Sequence, residues 1–68
     1  MKTSYEILKE LSKTRELVLK REIPKEFTDS FNKFFTGKTC RVGDNNEPLF
    51  YAHDVNEWAF IELQKLGI

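Results

Sequence analysis

The apolar positions of this chain change their spacing along its length, and each spacing predicts a different element. Between Pro24 and Thr36, Phe27, Phe31, Phe34 and Phe35 recur at i, i+4, i+7 and i+8. At helical geometry that places four rings on about 100° of one face, the signature of a core-facing helix. Pro24 suits its first turn, where a missing amide costs nothing, and Gly37 follows as a left-handed terminator. Upstream, Thr3 and Glu6 have the spacing of a capping box, so a first helix is expected from about Ser4 to Lys20. Ile7, Leu8, Leu11, Val18 and Leu19 fall within about 120° on its wheel, with Thr14 and Arg15 interrupting the stripe. The alternative to helix for the segment LVLKREI, residues 17–23, is a short strand, because so brief an apolar run does not separate the two periods by pattern alone.

After Gly37 the helical period is lost. Thr39–Val42 and Leu49–Ala52 are short and rich in β-branched or aromatic residues, and the turn formers GDNNEP lie between them, which predicts a hairpin. With a four-residue loop, Asp44 to Glu47, Val42 faces Leu49 and Cys40 faces Tyr51 on the core side. Arg41 and Phe50 then point outward, and a one-residue bulge exchanges the two faces. Asp54 and Glu57 repeat the capping spacing before VNEWAFIELQKL, which Gly67 closes. The expectation is one α+β domain over residues 1–68, two helices followed by a hairpin and a C-terminal helix (ααββα).

Composition supports a packed core. Forty per cent of the 68 residues are apolar and nine are aromatic, enough for one core but not several. No signal-peptide pattern and no run of eighteen apolar residues is present, so a cytoplasmic protein without a membrane segment is expected. Net charge is zero, yet residues 1–41 carry +4 and residues 42–68 carry −4. A neutral chain lacks the overall basic character that nucleic-acid binders usually draw on.

Candidate chemistry is sparse. Cys40 is the single cysteine and His53 the single histidine, so an intramolecular disulfide is excluded and a Cys/His zinc site is short of ligands. No phosphate loop, metalloprotease motif or paired-carboxylate motif occurs. Cys40 is expected to be a buried structural thiol and His53 a surface residue at the start of the last helix. No catalytic residue, cofactor, metal or small-molecule substrate is expected.

The surplus of apolar residues on the last helix is more informative. Val55, Ala59, Leu63 and Leu66 share about 80° of its surface, while Trp58 and Ile61 fall on another arc and Phe60 on the far flank. Either the helix is wrapped on several sides, or Trp58 and Ile61, with Phe50 and Arg41 of the hairpin, form a patch for a protein partner or a second copy of the chain. A competing surface lies on the first helix, where Lys2, Lys9, Lys13 and Lys20 project within about 40° of one another, with Lys38 and Arg41 at the hairpin base. Such a stripe is either a solvated face or a track for a phosphate backbone. The tail RVGDNNEPLFYAHDVNEW resembles the wing and following short helix of small excisionase-like winged-helix proteins. That resemblance implies DNA binding with the hairpin as a wing, and the stripe of Lys9, Lys13 and Lys20 with Lys38 and Arg41 would then follow the phosphate backbone. In those proteins a polar, basic recognition helix precedes the wing. Here the preceding helix is FTDSFNKFF, with a Phe face turned to the core and Lys33 as its only cation. The leading expectation is therefore a non-enzymatic protein-interaction or regulatory module, and the alternative is a winged-helix-like DNA binder.

Overall fold

A computed structural model describes residues 2–67. In chain order it comprises α1 (Ser4–Leu11), β1 (Val18–Leu19), α2 (Thr28–Phe35), β2 (Arg41–Val42), β3 (Pro48–Phe50) and α3 (Ala52–Lys65). Short 3-10 turns lie at Lys20–Glu22, Lys25–Phe27 and Asp44–Asn46. The expected α+β order is present, with one strand added ahead of α2. The three strands form an antiparallel sheet in the order β1-β3-β2.

Helix α1 begins as its sequence predicts, with Thr3 Oγ1 accepting from the Glu6 amide at 3.2 Å. It stops at Leu11, nine residues before the expected Lys20. Two contacts explain the early end: Ser12 Oγ donates back to the Lys9 carbonyl at 2.6 Å, and Asn56 Nδ2 of α3 donates to the carbonyls of Leu11 and Thr14 at 2.7 and 3.1 Å. Orphan carbonyls at a helix end require partners, and here a distant side chain supplies them. The chain beyond is released to extend. Val18, almost fully buried, pairs with Phe50, and Leu19 pairs with Leu49, so the strand alternative holds for these two residues of the segment 17–23 and the helix does not reach them. The Leu19 amide donates to Glu22 Oε2 at 2.7 Å, which bends the chain into the 3-10 turn that follows.

Pro24, expected in the first turn of the helix, instead caps a 3-10 turn, Lys25–Phe27, and α2 begins at Thr28; Gly37, at φ 84°, closes the segment as expected. Phe31 and Phe35 are buried and Phe27 and Phe34 pack against the core, as their spacing predicts. The core also holds Leu8, Leu11, Val18, Ile23, Val55, Trp58 and Ala59. Burying a large apolar side chain contributes roughly 1.5–3 kcal/mol, so the two buried rings of α2 anchor a large share of this core.

The hairpin register differs from the expected one by a single residue. Val42 pairs with Pro48 and Arg41 with Leu49, while Cys40 precedes the strand, half-buried and without Tyr51 as its partner. The reason is the turn. Asn45 and Asn46 both adopt positive φ, 63° and 61°, conformations Asn tolerates better than most residues. They reverse the chain in three residues, and the Gly43 amide donates to the Glu47 carbonyl at 2.8 Å. Gly43 leaves the room this needs, since a Cβ there would lie 2.8 Å from Leu49 Cδ1. One residue of slip exchanges the faces of a strand. Val42 is consequently 71% exposed, whereas Phe50, expected outside, packs edge-on against Phe31 and Phe35 with ring centroids at 4.8 and 5.0 Å.

Helix α3 starts two residues before the expected cap. Tyr51 is the residue at its N-terminal boundary, its carbonyl accepting from the Asp54 and Val55 amides at 3.1 Å each. Asp54 lies inside the first turn, where its charge favours the positive end of the helix dipole without capping it. Gly67, at φ 78°, ends the helix as predicted.

A candidate binding groove between α2 and α3

Helix α3 meets its two neighbours at different spacings. It approaches α1 closely, whereas α2 and α3 are not among the closely apposed pairs of elements. Large rings bridge the wider gap. The Trp58 ring stands perpendicular to Phe31 at 5.0 Å and nearly perpendicular to Phe27 at 6.4 Å, favourable geometries for aromatic pairs.

Above these rings runs a polar chain from one helix to the other. Trp58 Nε1 donates to Ser30 Oγ at 3.3 Å, and the Ser30 hydroxyl in turn donates to Glu62 Oε1. The other carboxylate oxygen of Glu62 lies 3.6 Å from Lys65 Nζ. Glu62 is the one charged residue that is buried among those described, at 6% exposure. An unpaired buried carboxylate is costly, so its two partners on opposite sides are what make the position tenable. No buried side-chain nitrogen or oxygen among the described residues lacks a hydrogen-bond partner.

This polar chain forms the floor of an open groove of about 420 Å³. Phe34 from α2 and Ile61 from α3, both half-buried, contribute apolar walls, and the exposed Lys33 and Lys65 stand on opposite sides. Phe34 is held in place by the Phe35 ring, centroids 5.1 Å apart, and by the Lys38 ammonium 4.8 Å from its centroid. A second concavity, of about 370 Å³, lies beside α1 and includes Lys2 and Glu10, which are joined to each other at 2.6 Å.

Several residues named from the sequence occupy other places than expected. Trp58 is 1% exposed, a core residue with one edge at the groove floor and no free anchor. Its arc is covered by the Phe face of α2, so the helix is wrapped on two sides. Phe50 is partly buried and packs against the core, for the register reason above. Ile61 remains accessible on the groove wall, and Arg41 is exposed on β2 away from the lining residues. The exposed aromatic of α3 is Phe60, at 58%.

The lysine stripe is not present, because α1 ends before it can form. Lys9 lies on the helix, 5.4 Å from the Tyr5 ring centroid, Lys13 follows the helix end, and Lys20 belongs to the turn after β1. Lys2 is paired with Glu10, and Arg21 lies 4.0 Å from Glu47. The hairpin tip presents Asp44 and Glu47 where a wing would meet phosphates. Cys40 and His53 are not joined by a hydrogen bond; the exposed His53 lies 3.4 Å from Asp54 and stacks on Tyr51. Among the described residues no cluster of three His, Cys, Asp or Glu side chains is placed to hold a metal, and no helix is long and apolar enough to cross a membrane.

Sequence reasoning passed over Ser30, Lys33, Phe34 as a wall, Glu62 and Lys65. A signal was there to find. Glu62 is seven residues after Val55, about 20° from it on the wheel and about 40° from Trp58, so a carboxylate lies between these two apolar positions. Ser30 lies about 40° beyond Phe34 on the wheel, at the flank of the Phe face. No family model matches the chain, and no curated protein or solved structure resembles it significantly.

Proposed function

We propose that this chain is a small, non-enzymatic, cytoplasmic binding module that receives a segment of a partner protein in the groove between α2 and α3. The observation that carries the reading is the construction of the groove: half-buried Phe34 and Ile61 over a floor fixed by the Trp58, Ser30 and Glu62 contacts. Rings and hydrogen bonds hold the floor before any ligand arrives, and a pre-organised site loses less entropy on binding than one that must be assembled. The volume lies in the range of about 300–1,000 Å³ typical of ligand sites. Its openness to solvent suits a side chain or two of a longer segment better than an enclosed metabolite.

Selection of peptides from a random display library against the folded protein, followed by titration of the selected sequences, tests this. Peptides that use the groove should lose about tenfold or more in affinity for an Ile61→Asp variant whose circular dichroism and melt remain native-like. Selected peptides that bind wild type and Ile61→Asp equally would refute the groove. Affinity for duplex DNA that falls with salt and disappears on replacing Lys9, Lys13 and Lys20 by Gln would replace the proposal with the winged-helix reading.

A further inference from the structure

We infer that the partner segment is acidic as well as apolar, an Asp or Glu next to a side chain of the Leu, Ile or Phe type; this rests on the groove being the binding site. The argument is one of local charge. The groove contains one carboxylate and two ammonium groups, and they are not equally accessible. The Glu62 side chain is 8% exposed and already engaged at both oxygens, by Ser30 and by Lys65, whereas the Lys65 side chain is 66% exposed. Lys33, on the opposite wall, is exposed and takes part in no ion pair among the described residues. Asp29, one turn before it on α2, is not a lining residue. Lys38 adds a third cation beside Phe34. An approaching chain therefore meets positive charge on both edges and the negative charge only at the bottom, where it is already paired.

The apolar half of the requirement comes from the walls. A side chain entering between Phe34 and Ile61 covers two half-buried apolar groups, and a carboxylate beside it comes within reach of Lys33 from α2 or Lys65 from α3. A basic segment would be repelled at both edges, and like-charge juxtaposition is an effective means of excluding wrong partners. Because the whole chain is neutral, this preference belongs to the groove and not to a general field.

The test uses the indole N–H signal of Trp58, the single tryptophan, in NMR titrations of the full chain with three short synthetic peptides. All share one Phe and alternating Leu, and their remaining positions are Glu, Gln or Lys. The Glu peptide should shift the indole signal and those of Phe34 and Ile61, and bind about five- to tenfold more tightly than the Gln peptide, the yield of two solvent-exposed ion pairs. That advantage should shrink as salt is added. The Lys peptide should bind most weakly. Lys33→Glu, a change at an exposed position, should reduce the preference, and adding Lys65→Glu should reverse it in favour of the Lys peptide; if the double variant does not fold, Lys33→Glu alone decides. Equal affinity for the Glu and Gln peptides would overturn the acidic preference and leave the groove standing. Tighter binding of the Lys peptide by wild type would overturn it in favour of Glu62 as the selecting charge. If no peptide moves the groove signals while an oligonucleotide does, both the preference and the groove as a protein site fall.

Discussion

The two sides of α3 solve the same burial problem differently. Towards α1 the helices lie close, the core members are the aliphatic Leu8, Leu11, Val55 and Ala59, and Asn56 closes the seam by capping the end of α1. Towards α2 the spacers are rings, and a ring holds two helices farther apart than an aliphatic pair does. The space above the rings is not filled by apolar side chains; a hydrogen-bonded serine and carboxylate span it, and it is left open as a groove. Close packing is how interiors gain dispersion energy and exclude ligands. A site on so small a domain is therefore to be sought where packing is interrupted yet every polar group is satisfied.

Removing a spacer should break this contrast most severely. Phe31 contacts Phe35, Phe50 and Trp58 at ring-centroid distances of 4.3–5.0 Å, and Phe31→Ala should cost about 3–5 kcal/mol, a large share of the roughly 5–15 kcal/mol of a typical domain. Chemical denaturation should find it largely unfolded; a shift of a few degrees in a thermal melt would show that the rings do not hold α2 and α3 apart. Trp58→Ala belongs to the same class, because the indole is core and its truncation should be felt in the melt.

On the α1 side, Asn56→Ala leaves the Leu11 carbonyl at the helix end and the Thr14 carbonyl just beyond it without their partner and should cost about 1–2 kcal/mol. Faster amide exchange confined to the last turn of α1 would mark the loss as local. On the α2 side, Trp58→Phe keeps a ring but removes the donor to Ser30, with an expected cost of about 1 kcal/mol. If it instead matched Trp58→Ala, the volume of the indole, and not its hydrogen bond, would be what the groove floor depends on.

The smallest effects should come from the charged surface. Lys33→Glu should change stability by less than about 0.5 kcal/mol while altering which peptides bind, a separation of stability from binding that the α1 seam offers no residue to imitate. Replacing Lys9, Lys13 and Lys20 by Gln should leave both the melt and peptide affinity unchanged within error. A salt-dependent loss of binding in that triple variant would move the functional surface to the other side of the molecule.

Much of this architecture is determined by local sequence. The Phe spacing, Pro24 and Gly37 define the α2 segment, Thr3 starts α1, Gly67 ends α3, and the GDNNEP cluster compels a reversal, because periodicity, caps and turn residues act over a few neighbours. What only the tertiary structure decided are the outcomes that depend on distant partners. Whether residues 17–23 continue a helix or become a strand was settled by Asn56 capping α1 and by β3 offering an edge to Val18 and Leu19. The hairpin register turned on two consecutive left-handed asparagines, a one-residue difference that exposed Val42 and turned Phe50 against the core. Whether Trp58 was anchor or core depended on where α2 lay, and the helical wheel of α3 contains no information about its neighbours. The groove is the furthest from the sequence, since its walls come from two helices about thirty residues apart. Its one local trace is Glu62 on an apolar stripe, a charge whose position becomes intelligible only once Ser30 and Lys65 are brought beside it.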